Sequence, residues 1–180
     1  MAPCAADTPL VEVDIAAVER NIARMQRYCD AHGLRLWAHS KTHKLPQIAA
    51  RQIAGGAAGV VCQKLGEAEV MAGEADDILI TFPLVGEVKW RRLAALARRV
   101  RVTVIADSDL VARGLSQALA EDGATVDLLV DCDTGFGRTH AEPGDHRRRL
   151  ENTHKRPGPP VGARLRARRR IPGGRDHVAE

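Results

Sequence analysis

This 180-residue sequence predicts an α/β fold, a parallel sheet whose strands alternate with helices. Three observations carry that expectation. Short runs rich in valine, isoleucine and leucine recur along the first 138 residues. Between them lie stretches whose apolar residues step by three and four, the spacing of one helical face. Residues that start or stop helices, such as Pro46, Gly33 and Gly55, fall at the junctions.

Taken in order, residues 11–13 form a short first strand. Asp14 follows where a helix N-cap belongs, and its carboxylate can accept from free backbone N–H groups. Ile15, Val18, Ile22, Met25 and Cys29 make one apolar helical face, and Gly33 supplies the stop because glycine tolerates the left-handed conformation. Residues 34–38 read as the second strand. Pro46 suits the first turn of a helix that runs to about Gly55. Residues 58–61 are a third strand, 66–72 a short helix and 78–82 a fourth strand. Residues 88–99 are helical, with Leu93, Leu96 and Ala97 on one side. Residues 100–106 are the clearest strand, 110–121 a further helix, and 126–130 a sixth strand. This alternation fits a closed (β/α)8-type barrel with about six strands present, or an open doubly wound sheet. Periodicity alone does not choose between them.

Composition narrows the function. The net charge is +4, but residues 139–180 hold 11 lysines and arginines against 5 acids. The first 138 residues are therefore slightly acidic and show no basic stripe with interleaved aromatics, so nucleic-acid binding has no support there. Aromatics are only 3% of the chain, which predicts an aliphatic core. Cys4, Cys29, Cys62 and Cys132 are widely spaced and form no C-x-x-C pair, so reduced thiols in a cytoplasmic protein are expected. No stretch approaches 18 apolar residues, and none is expected to enter a membrane.

The character changes at Thr139. Residues 139–180 contain five of the nine prolines, no aromatic residue, and the like-charge runs 147–149 and 168–170. Such a stretch buries too little apolar area to offset its chain entropy, so a disordered basic tail is expected. It reads as an out-of-frame translation of GC-rich coding sequence, and hence as a truncated or frameshifted gene. A basic interaction tail is the alternative. The domain expectation is thus 1–138 for a partial barrel and 139–180 for the tail.

The strongest chemical constellation is His39-Ser40-Lys41-Thr42-His43-Lys44, at the carboxyl end of the second predicted strand. That end carries the active site in parallel α/β folds. A lysine there can be partly desolvated, which lowers its pKa and favours the neutral amine that attacks an aldehyde. His39 and Lys41 are two apart and share a face of a strand. On residue types alone, a solvated polar loop is the commoner occurrence of such a segment. Gly135-x-Gly137 lacks the third glycine and following helix of a dinucleotide loop. His140, His146, His154 and His177 have no metal-cage spacing, so no metal site is assigned.

Several segments, in order, resemble one family. They are Thr8-Pro9, Asp14 and Asn21; His39-x-Lys41-Thr42-His43-Lys44; Val61-Cys62-Gln63 with Gly66-Glu67-Ala68-Glu69; Asp76-Asp77-Ile78-Leu79; and residues 131–139, which contain Gly135-Phe136-Gly137-Arg138. Together they are similar to the amino-terminal part of the pyridoxal-phosphate (PLP) enzymes of the D-threonine aldolase and D-serine dehydratase-like family. The resemblance covers roughly residues 8–139 and implies an alanine racemase-like barrel rather than the open sheet.

What the resemblance implies for individual residues is specific. Lys41 bonds covalently to PLP and shuttles the substrate proton, and His39 flanks the cofactor. Arg138 brings a guanidinium near the PLP ring or its phenolic oxygen. Gln63 and Thr81 end neighbouring strands and line the pocket, with simple strand-end capping as the alternative. The implied substrate is a small D-β-hydroxy amino acid, with aldol cleavage, D-serine dehydration and racemisation left open. A non-catalytic fragment that binds PLP weakly is a further alternative. The family's divalent-metal ligands lie in a carboxyl-terminal domain for which this chain has no matching segment. The resemblance also implies a homodimer whose partner completes each site, an interface that the missing later elements put in doubt.

Overall fold

The computed structural model describes residues 9–131 and 166–167. Five helices, α1 (Ile15–Ala31), α2 (Pro46–Ala54), α3 (Leu65–Met71), α4 (Glu87–Ala97) and α5 (Asp109–Glu121), alternate with strands β1 (Trp37–His39), β2 (Gly59–Cys62), β3 (Asp77–Ile80), β4 (Arg101–Ala106) and β5 (Asp127–Val130). A two-residue strand, β6 (Arg166–Ala167), follows. All pairings are parallel and the sheet order is β1-β2-β3-β4-β5-β6.

The local signals act as the sequence argues. Asp14 Oδ1 accepts from Ala17 N–H at 3.1 Å and caps α1. Gly33 at φ +64 ends that helix, with Leu34 N–H donating back to the Cys29 carbonyl at 2.8 Å. Pro46 sits in the first turn of α2, where a missing N–H costs nothing. The exception is residues 11–13, which do not form a strand. They lack a paired neighbour among the described residues, and Val11 is 86% exposed. Branched side chains favour extended backbone, but a strand exists only when its N–H and C=O groups find a partner strand. Of residues 139–180, only Arg166–Ala167 lies among the described residues. It pairs with Asp127–Leu128, where the sequence argument placed no strand.

The sheet order decides between the two candidate architectures. A doubly wound sheet reverses its strand order at a switch point, whereas a barrel adds each strand to the same side. Here each strand follows its predecessor without reversal. The two faces agree. Val60, Cys62, Ile78, Ile80, Val102 and Val104 point to the face where Leu65, Met71, Leu93, Leu115 and Leu119 of the helices pack. Leu93 and Leu115 are fully buried there, each worth about 1.5–3 kcal/mol of transfer free energy. The opposite face carries a separate cluster of Trp37, Val61, Leu79 and Ile105, with Leu129 against it. That is the helix-free interior of a TIM-like barrel wall.

Two packing details fix the wall. A Cβ on Gly59 would lie 2.5 Å from the Asp77 carbonyl oxygen and 3.3 Å from the Trp37 ring, so a glycine lets β2 pass between them. At the amino end of the interior, Arg101 donates to Asp127 Oδ2 through Nε (2.9 Å) and Nη2 (2.6 Å), and Asp77 Oδ2 lies 3.9 Å from Nη1. On the outside, α1 is held to α2 by the Arg51–Glu19 ion pair and by Ile22 against Gly55. No helix among the described residues is long and apolar enough to cross a membrane.

Candidate active site

Because every strand is parallel, the carboxyl ends of β1, β2 and β3 lie together, and the residues that follow them are Ser40-Lys41, Gln63 and Thr81. This is the end at which barrel enzymes place their chemistry.

Ser40 anchors the loop that carries Lys41. Its N–H and its hydroxyl both donate to the Val61 carbonyl, at 2.8 and 3.0 Å, and it is fully buried. Its Oγ also lies 3.5 Å from Cys62 Sγ. The turn closes when Lys44 N–H donates to the Ser40 carbonyl at 2.8 Å, with Lys44 held at φ +52. Lys44 is the one described non-glycine residue with positive φ, a conformation that needs such support. Burial pushes the Cys62 thiol up to about 11, so it behaves as a packing residue and not as a nucleophile.

Lys41 projects from the middle of this turn. Its N–H donates to His39 Nδ1 at 3.2 Å. That contact places the proton of the neutral His39 ring on Nε2. Its strand-end position predicts a partly desolvated Lys41; the structure instead leaves it exposed, because β1 is the edge of the described sheet and no strand covers it on that side. Lys41 makes no ion pair among the described residues.

Gln63 and Thr81 stand at the neighbouring strand tips, half-buried. The Thr81 N–H and hydroxyl both donate to the Cys62 carbonyl, at 3.0 and 3.4 Å, which is strand-end capping. Gln63 N–H donates to Glu67 Oε2 at 3.0 Å. Arg138 lies outside the described residues.

Two side chains matter more than the sequence argument allowed. Glu67 is the third residue of α3, and its side chain is only 12% exposed. One oxygen holds the Gln63 N–H; the other lies 3.7 Å from Lys44 Nζ. A glutamate three residues into a helix commonly reaches back to the entering backbone, so this signal was present in the sequence. His43 turns inward, and burial pushes its imidazole below the usual histidine range, partly opposed by the facing Gln52 amide. Its Nδ1 accepts from Leu45 N–H at 3.0 Å, while Nε2 makes no hydrogen bond of normal geometry.

A groove of about 380 Å³ runs between α1, β1 and α2, lined by Val18, Ile22, Met25, Trp37, His39, His43 and Gln52 among others. It joins His39 to His43 but does not include Lys41, Gln63 or Thr81. No cluster of His, Cys, Asp or Glu able to hold a metal ion occurs among the described residues. For an aldehyde cofactor, the donor set does fit. An exposed lysine without an ion-pair partner among the described residues stands at a barrel-strand tip, beside an imidazole whose Nδ1 accepts the lysine N–H.

The strand order and the two-faced packing define the wall of a TIM-like α/β barrel, with this lysine at a strand tip. Residues 13–162 match the family described as alanine racemase, N-terminal domain, and the chain belongs to that family. It is 41% identical over 133 residues to a D-threonine aldolase of an Arthrobacter species, across 73% of this chain and 35% of that protein. Among solved structures, D-threonine aldolase from Filomicrobium marinum superposes with a TM-score of 0.77 at 44% identity, covering 81% of this chain and 40% of the other. D-threo-3-hydroxyaspartate dehydratase from Delftia sp. HT23 gives a TM-score of 0.71 at 31% identity, covering 89% and 42%. The chain thus spans well under half the length of the relatives it matches.

Proposed function

We propose that this chain is the cofactor-bearing part of a PLP-dependent lyase acting on D-β-hydroxy amino acids, with Lys41 as the residue that bonds the cofactor aldehyde. The observation that carries the reading is the position of Lys41. It stands on a buried, doubly hydrogen-bonded serine at the carboxyl end of a barrel strand, exposed and with no ion pair among the described residues. The relatives add that proteins with this barrel include an aldolase and a dehydratase named for β-hydroxy D-amino acids.

When bound, the cofactor supplies an electron sink for the charge left at the substrate Cα. The chain's own residues do the rest. Lys41 holds the cofactor and carries a proton at its amine. His39, with Nδ1 engaged by the Lys41 N–H, offers a proton at Nε2. Ser40 and Glu67 fix the loop, and Gln63 and Thr81 border it. Arg138 is proposed to approach the cofactor ring. Aldol cleavage is the favoured reaction; dehydration and racemisation are the alternatives. The exposure of Lys41 favours one further reading, cofactor binding without turnover, since an open site does not exclude water.

The test is to mix the protein with PLP, reduce with borohydride and map the modified peptide. The adduct is expected on Lys41 and lost in Lys41→Ala. Acetaldehyde released from D-threonine would mark the aldolase, pyruvate from D-serine the dehydratase, and an adduct without either product the binder. An adduct equally abundant in Lys41→Ala would refute the assignment.

A further inference from the structure

We propose that Glu67 withholds Lys44 from amine chemistry and so leaves Lys41 as the reactive lysine of the loop. The two lysines lie three residues apart on one turn, and an aldehyde or acylating reagent near the strand tips meets both. Nothing in residue type distinguishes them; their surroundings do. Lys44 Nζ lies 3.7 Å from Glu67 Oε1, whereas Lys41 has no carboxylate partner among the described residues.

The pair is a built feature rather than a chance surface contact. Glu67 does not swing freely, because its second oxygen accepts from Gln63 N–H at 3.0 Å and its side chain is 12% exposed. Lys44 does not swing freely at its base, because its backbone is locked at φ +52 by the bond from its N–H to Ser40. One held carboxylate therefore faces a lysine whose backbone is held. An amine engaged by a carboxylate must leave that contact before it can attack a carbonyl. Lys44 is occupied in this contact, and Lys41 is left available. Glu67 is on this account a positioning residue that acts through Lys44.

The consequence for the cofactor rests on the reading of Lys41 above, but the sorting itself can be measured without cofactor. Trace acylation near pH 8 with an uncharged reagent, quantified by peptide mass spectrometry, reports each lysine's reactivity. The exposed Lys89 is the internal reference. In the wild-type protein Lys44 should react about two- to fivefold more slowly than Lys41 or Lys89, the range of a partly exposed ion pair. Raising the salt to about 1 M should narrow the gap. In Glu67→Gln, which keeps an acceptor for Gln63 N–H, Lys44 should gain about the same factor while Lys41 stays unchanged. PLP trapped with borohydride should then appear on Lys44 as well as Lys41.

Equal reactivity of Lys44 and Lys89 in the wild type, or a Lys44 rate unmoved by the substitution, overturns the proposal. If Glu67→Gln does not melt cooperatively, the wild-type salt series decides the question on its own. A normal acylation contrast with no cofactor on Lys41 in either protein upholds the role of Glu67 and sinks the cofactor reading instead.

Discussion

The contact between α4 and α5 allows a sharp test of the packing, through Gly114→Ala. Trp90 lies flat against Gly114, and a methyl group there would sit closer to three indole carbons than the 3.0 Å that real Cβ contacts respect. The ring cannot simply turn away. Its Nε1–H donates to the Leu84 carbonyl at 2.7 Å, which ties it to the segment before α4. Three terms compete. Alanine in the middle of a helix gains about 1 kcal/mol over glycine. Forcing a methyl into a filled space costs about 1–3 kcal/mol. Displacing the indole from its acceptor costs about 0.5–1.5 kcal/mol more. The net is a loss of about 0.5–3.5 kcal/mol on these terms. In a Trp90→Leu background the ring is gone, only the propensity gain survives, and the same substitution should stabilise by up to about 1 kcal/mol. The assay is a double-mutant cycle of urea unfolding followed by far-ultraviolet circular dichroism, which does not depend on the deleted tryptophan. A Gly114→Ala protein as stable as the wild type or better, with no coupling to Trp90, would refute the packing argument.

Three further outcomes follow from the buried charges and the packing. Arg101→Met leaves Asp127, whose side chain is 9% exposed, and Asp77 without their shared cation; a loss of about 1–3 kcal/mol in urea unfolding is expected, discounted because the arginine is half exposed, and a change under about 0.5 kcal/mol would count against it. His43 titrates lower in the fold than its ordinary 6.5, so the unfolded chain takes up the proton first; stability should fall as pH drops below about 6.5, and melting temperatures between pH 7.5 and 5.5 should decline less in His43→Gln than in the wild type. Cys62, with its thiol pushed up to about 11 and no exposed surface, should resist iodoacetamide at pH 8 in the folded protein and react on unfolding, which mass spectrometry of the alkylated peptides checks.

Much of the architecture was legible in the sequence because it rests on local signals. Asp14, Gly33 and Pro46 bound helices α1 and α2 as their chemistry requires, and the β4 pattern is read within a residue. What failed was non-local. The branched run at residues 11–13 looks like a strand, but whether it has a partner depends on residues far away in the chain. The converse applies to Arg166–Ala167, a strand in a segment whose composition gave no hint of one. Periodicity does not encode the choice of a barrel over an open sheet; the family resemblance implied the barrel, and the strand order bears it out. At the site, residue type and strand-end position singled out Lys41, but not its exposure, nor the carboxylate that distinguishes it from Lys44. Exposure is a property of what lies across the sheet edge, and the Glu67 contact joins residues 23 positions apart.

The twofold attachment of Ser40 to the Val61 carbonyl has a mechanical consequence. The amine at position 41 takes its coordinates from the adjoining strand more than from its own. A small slide of residues 59–62 would carry it along, while changes elsewhere in its turn would leave the anchor in place. Adjusting where this amine stands is therefore a matter of altering the packing beneath residues 61–67, at a distance from the amine itself.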